Sequence, residues 1–115
     1  MSDEATSSAP EPEVVQVAER DRYEIRVGGD AAGFTQYLDR DGQRIFFHTE
    51  IDDAYSGRGL AGRLVGAALA VTRQDGLRVV PVCPYVAKFV KQHTEFADLV
   101  DTVTPAALDA VRGRG

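Results

Sequence analysis

The sequence predicts an α/β (α+β) fold, in which a three-stranded antiparallel meander leads into a helix, a parallel strand and a second helix. Three observations predict it. Apolar and polar residues alternate from Arg22 onward, and turn residues interrupt the alternation twice. An apolar stripe at helical spacing then runs from Leu60 to Val71. A strand-like run, Leu77 to Val82, follows that helix and must return beside the third strand through a right-handed crossover.

Each element has its own signal. Tyr23, Ile25 and Val27 alternate with Glu24 and Arg26, as in a half-buried strand, and Gly28-Gly29-Asp30 turns the chain. The second strand passes through Phe34, Tyr37 and Leu38 to a hairpin turn, Asp39-Arg40-Asp41-Gly42, with glycine where positive φ is needed. The third strand is Gln43 to Ile51. Strict alternation would place Ile45, Phe47, Thr49 and Ile51 on one face and Phe46, His48 and Glu50 on the other. The first helix runs to about Gln74; Leu60, Leu64, Ala68 and Val71 make its stripe, which Ala61, Val65 and Leu69 widen. Asp75-Gly76 stops it. Pro81 removes a ladder donor near the end of the next strand, so one side should be unpaired there. Pro84 holds Cys83 extended and is well placed as first residue of a helix to about Gln92. Thr104-Pro105 reads as the cap and first residue of a terminal helix to Val111.

Composition narrows the function. A chain of 115 residues has room for one domain with a modest core. Residues 1–20 are rich in Ser, Pro, Ala and Glu without an apolar period, which predicts a disordered acidic tail ahead of a domain over 21–112. That tail lacks the basic start and apolar run of a signal peptide, and no later run reaches the length of a membrane span. The net charge of −5 argues against nucleic acid as a partner, since phosphate backbones are gripped by clustered Lys and Arg. One cysteine excludes an internal disulfide and any multi-cysteine metal site, and fits a reducing, cytoplasmic setting.

The stretch Ser56-Gly57-Arg58-Gly59-Leu60-Ala61-Gly62-Arg63 carries the strongest chemical signal. Its glycines leave bare backbone at the positive end of a helix, an arrangement suited to a diphosphate. Gly57, Gly59 and Gly62 spell the dinucleotide fingerprint G-x-G-x-x-G, but the context is wrong for it. An antiparallel meander precedes the motif, and the next strand ends in Cys83-Pro84 where an acidic residue would be required. A P-loop is also excluded, because Arg63 and Leu64 fill its Lys and Ser/Thr positions.

The order of meander, glycine turn, long helix, parallel strand and second helix resembles the GCN5-related N-acetyltransferase (GNAT) fold. That family's pyrophosphate motif is Q/R-x-x-G-x-G/A, which Ser56 to Ala61 fits with Ser56 in the Gln/Arg place. His48-Thr49-Glu50, Pro81-Val82-Cys83-Pro84-Tyr85 and Lys91-Gln92-His93 extend the likeness. Together these look like the small single-domain GNAT-like family with YjdJ-type and NATD1-type members, over about Tyr23 to Val100. The resemblance implies a minimal GNAT-like fold, acetyl-CoA or another acyl-CoA (coenzyme A) as donor, and an amine of unknown identity as acceptor. It implies that backbone N–H groups from Arg58 to Arg63 bind the CoA pyrophosphate, and that the pantetheine arm enters where two parallel strands splay near Pro81.

Acyl transfer to an amine needs a neutral amine, a donor to the developing oxyanion and a proton for the departing thiolate. Cys83, at the positive end of the second helix, could accept the acyl group or act as an acid toward the CoA sulfur; the alternative is a small buried hydrophobe. In the resembled family the matching Cys is the suspected catalytic residue. His48 and Glu50, two residues apart on one strand face, are candidate bases, against the plainer roles of a satisfied histidine and a solvated strand-end carboxylate. Tyr85 could protonate the thiolate, or simply pack on Phe89 one turn on. Lys88, Lys91 and His93 are candidates for the CoA adenine or 3′-phosphate, or else a solvated helix face. The sequence therefore predicts an N-acyltransferase, the alternative being a CoA-binding or protein-interaction module without turnover. The alternative rests on brevity: larger relatives place acceptor-site helices between their first two strands, where only Gly28-Gly29-Asp30 is expected here.

Overall fold

The computed structural model describes residues 11–114. Its centre is one five-stranded sheet in the order β1-β2-β3-β4-β5. Strands β1 (Glu13–Val17), β2 (Arg22–Val27), β3 (Asp30–Arg40) and β4 (Gln43–Ile51) form an antiparallel meander. Helix α1 (Leu60–Gln74) crosses back to β5 (Arg78–Pro81), which pairs parallel to β4. Helices α2 (Pro84–Gln92) and α3 (Pro105–Gly113) follow. The α/β order expected from the sequence is therefore present, with one strand more.

The extra strand corrects the boundary of the acidic tail. Glu13–Val17 is paired with β2 from Glu13↔Arg26 to Val17↔Arg22, and Val14 packs against the core. Three valines in five residues suit a strand, yet they sit among Glu, Pro and Gln and have a partner on one side only. Residues 1–10 lie outside the described residues. The first two strands are joined by a 3-10 turn, Ala18–Arg20, and by Asp21 in the left-handed region, while Gly28-Gly29 joins the second to the third.

The core lies on both faces of the sheet. Tyr23, Ile25, Tyr37 and Phe46 meet Leu64, Val65, Ala68 and Leu69 of α1 and Val86 and Phe89 of α2 on one face. Ile45 and Val80 meet Ala107 of α3 on the other. Pro84 and Pro105 each occupy the first turn of their helix, where the missing N–H costs nothing, and the Thr104 hydroxyl accepts from Ala107 N.

A bulge in β4 overturns the strict alternation expected there. Tyr37 faces Phe46 and Gln36 faces His48, so Phe47 is an extra residue and the pattern shifts by one. Phe46, Thr49 and Ile51 thereby point toward α1. Ile45, Phe47, His48 and Glu50 point to the opposite face, where Arg114 lies over the Phe47 ring and Phe34 lies beside His48.

Candidate active site

The parallel pairing of β4 and β5 stops at Phe46↔Pro81, and the last bond across the gap runs from Cys83 N to Phe46 O at 2.8 Å. Proline has no N–H to extend the ladder, and β4 continues from Phe47 to Ile51 without a partner on that side among the described residues. A wedge therefore opens between the two strands, with Cys83 at its apex. The residue is extended (φ −62°, ψ 126°), caps α2, and is buried at 4% exposure. Its Sγ donates to Thr49 Oγ1 at 3.4 Å, and Thr49 shares a 2.9 Å hydrogen bond with the Thr35 hydroxyl.

The glycine turn follows the unpaired end of β4 and leads into α1. Asp52 accepts from Ala54 N, and the Ser56 N–H and hydroxyl both return to Asp53 O, which closes the preceding 3-10 turn. Gly57 (φ +80°) and Gly59 (φ +72°) then take left-handed conformations, with open space where a side chain would stand. Gly59 caps α1 without a side-chain bond, and the first amide donating back into the helix is Arg63 N, to Gly59 O. The N–H groups from Gly57 to Gly62 have no acceptor among the described residues. Arg58 lies over the Tyr55 ring at 5.2 Å, and Arg63, in the first turn of α1, is exposed with the Glu11 carboxylate 4.0 Å away. A cluster of unpaired amides at a helix N-terminus, with basic side chains nearby, fits a diphosphate.

Helix α2 lies beside the start of α1: a Cβ at Gly62 would be 3.8 Å from the Tyr85 hydroxyl and one at Gly66 3.5 Å from Phe89, both ordinary contact distances. Tyr85 is 39% exposed and its ring packs on Phe89 at 6.5 Å. Its hydroxyl thus faces Gly62 in the first turn of α1, while its ring packs on Phe89.

Other sequence candidates fall elsewhere. His48 Nε2 and Glu50 Oε1 are 3.0 Å apart and exposed, on the sheet face opposite Thr49 and Cys83. Lys91 lines a cavity of about 390 Å³ with Pro81, Val90 and Val103, to which no residue of the glycine turn contributes. His93 stacks on Phe89 at 4.0 Å, beyond the last turn of α2, and Lys88 is exposed. Alternation alone hides Thr35 and Thr49, because their meeting depends on the bulge; a polar β-branched residue at mid-strand was the only signal. Among the described residues no group of three or more His, Cys, Asp or Glu side chains could hold a metal, and no helix is long and apolar enough to cross a membrane.

Residues 22–99 match the family model of the GCN5-related N-acetyl-transferase. The chain belongs to that family. Within it the similar relatives are the proteins called NATD1. The chain is 36% identical to NATD1 of Bos taurus over 95 residues, which is 77% of this chain and 84% of the relative. It is 34% identical to NATD1 of Homo sapiens over 76 residues, 64% of this chain and 67% of the relative. The solution structure of a GCN5-like protein from Staphylococcus aureus superposes with a TM-score of 0.61 at 18% identity, covering 81% of this chain and 91% of that one. The last likeness shows the fold. The GNAT match spans β2 to the end of α2 and beyond, so the turn and the wedge both lie inside it.

Proposed function

We propose that this GNAT protein is an acetyl-CoA-dependent N-acetyltransferase, with the donor's pantetheine arm entering the wedge between β4 and β5. The observation that carries the reading is the meeting of two features at one opening: the unpaired amides of Gly57 to Gly62 and the Cys83 sulfur at the apex.

Bound acetyl-CoA supplies an activated acetyl thioester. The turn amides, with Arg58 and Arg63 nearby, hold the diphosphate and so fix the donor's reach along the wedge. Phe46 and the end of β5 close the bottom, which limits water at the apex. Cys83 gives its S–H proton to the departing CoA sulfur and keeps the electron pair, regaining a proton from the acylated amine. The Tyr85 hydroxyl, beside Gly62, steadies the donor at the turn. His48 and Glu50 take the extra proton of an acceptor that arrives as an ammonium ion from the open face of the sheet, before attack; the proton that returns to Cys83 is the one released as the amide forms. That approach is supported by the unpartnered stretch Phe47 to Ile51, which leaves the gap reachable from both sides.

The test is incubation with labelled acetyl-CoA and a panel of primary amines and peptides. Transfer that is lost in Cys83→Ala with CoA still bound supports the reading; full transfer in Cys83→Ala removes Cys83 from it. Acyl-Cys83 found by mass spectrometry would replace the acid role with a covalent one.

A second reading, a CoA-binding module without turnover, is favoured by the short Ala18–Arg20 connection, which leaves the acceptor side uncovered. Binding without transfer to any amine would select it.

A further inference from the structure

We propose that Thr49, backed by Thr35, positions the Cys83 sulfur and serves it as acceptor or donor according to its charge; this rests on the acyl-transfer reading above. Thr35 is fully buried, and its hydroxyl meets Thr49 as its cross-strand partner. The core on this face is largely apolar, with Tyr37 and Phe46 among its buried members and Ile51 packed against it. Valine has the same shape, suits a strand equally and would bring no polar atom into that core, so packing alone does not account for two hydroxyls there. What the hydroxyls do is bond each other and the sulfur.

The bulge is the device that brings this about. With no bulge at Phe47 and strict alternation kept, Thr49 would fall on the opposite face with its neighbours exchanged. With it, a line of three atoms forms, Thr35 Oγ1, Thr49 Oγ1 and Cys83 Sγ, spaced 2.9 and 3.4 Å. Either threonine can donate in the shared bond. When Cys83 carries its proton, its S–H donates to Thr49. When that S–H bond breaks and the proton moves to the CoA sulfur, the Cys83 sulfur keeps the electron pair. The Thr49 hydroxyl then rotates to donate to the thiolate, and the Thr35 hydroxyl donates to Thr49 Oγ1. No proton changes owner between the threonines. Hydrogen bonds to a charged acceptor are the stronger kind, so the line favours the state formed during transfer.

The experiment uses the whole chain, whose one cysteine gives a single S–H stretching band in the infrared. In Thr49→Val the band moves to higher wavenumber, as for an unbonded thiol, and alkylation of Cys83 by iodoacetamide at fixed pH slows about tenfold. Thr49→Ser restores both, and Thr35→Val gives a smaller change of the same sign. The double variant Thr35→Val/Thr49→Val leaves no orphan hydroxyl and reproduces the Thr49→Val band in a protein of unchanged circular dichroism. A band in Thr49→Val or in the double variant that stays at the wild-type position overturns the proposal. Failure of the wild type to bind acetyl-CoA would instead overturn the acyl-transfer reading, and would not move the band.

Discussion

Arg44 grips Asp39 at two points across the β3–β4 hairpin, Nε to Oδ1 at 2.7 Å and Nη2 to Oδ2 at 2.8 Å. The arginine is 5% exposed, lies 4.4 Å from the Tyr37 ring centre, and also reaches Asp75 at the end of α1. Burial alone would lower its pKa, but the Asp39 carboxylate and the nearby tyrosine oxygens outweigh burial and raise it, so the guanidinium stays charged. Removing Asp39 takes away both bonds of that fork and leaves the buried charge only the longer contact to Asp75 and the Tyr23 hydroxyl, whereas Asp39 itself is half-exposed and can be hydrated if Arg44 goes. Asp39→Asn should therefore cost about 3 kcal/mol and Arg44→Met about 1 kcal/mol. Urea denaturation checks the order; a larger loss in Arg44→Met would contradict it.

Glu24 sets part of the acid sensitivity. It is 7% exposed, and Arg26 and Arg22 each clamp one carboxylate oxygen. The Arg26 bond is the largest influence and lowers its pKa; burial opposes, and Arg22 adds to the lowering. A carboxylate whose folded pKa is depressed contributes stability above its unfolded pKa, and that contribution disappears as pH falls through the folded value. The wild-type Tm should fall below about pH 4.5, and Glu24→Gln should lower Tm at pH 7 and flatten that fall. Some slope will remain, because the arginine-paired Asp98 and Asp101 are shifted the same way. A Tm profile identical in slope for the variant would refute the assignment.

Much of the site-bearing half was legible in the sequence. Gly57, Gly59 and the stripe from Leu60 predicted a bare turn into a helix, and Pro84 placed Cys83 at the start of α2, as found. Two things were not legible. Glu13–Val17 pairs on one side only and lies in an acidic, Pro-containing stretch, so its strand character comes from β2 rather than from its own composition. The bulge at Phe47 leaves no mark in the alternation, because both neighbouring residues are aromatic. That single residue decides that Thr49, and not His48, meets Cys83.

Gly33 shows how closely β3 and β4 approach beside the bulge region. A Cβ there would stand 2.6 Å from the Glu50 carbonyl oxygen, which is backbone and cannot step aside. Gly33→Ala should cost roughly 1–3 kcal/mol, read from the denaturation midpoint, although the alanine is the better strand former. A variant as stable as wild type would mean that the strands part there.

Gly62 separates anion binding from stability. It is the third residue of α1, where a carboxylate favours the helix dipole by about 0.3–1 kcal/mol and removes a helical glycine. The same charge repels a diphosphate on the turn amides. Gly62→Asp should keep or raise Tm and weaken CoA binding at least about tenfold. Unweakened binding would place the diphosphate elsewhere.

The central claim is that the turn amides and the wedge receive CoA, and titration of acetyl-CoA into the ¹⁵N-labelled protein, followed by amide chemical shifts, tests it most directly. The account predicts saturable shifts concentrated at Gly57 to Arg63 and at Cys83 and Tyr85, with the Arg44 end of the sheet unmoved. No shift at millimolar acetyl-CoA, or shifts confined to residues outside that opening, would contradict it.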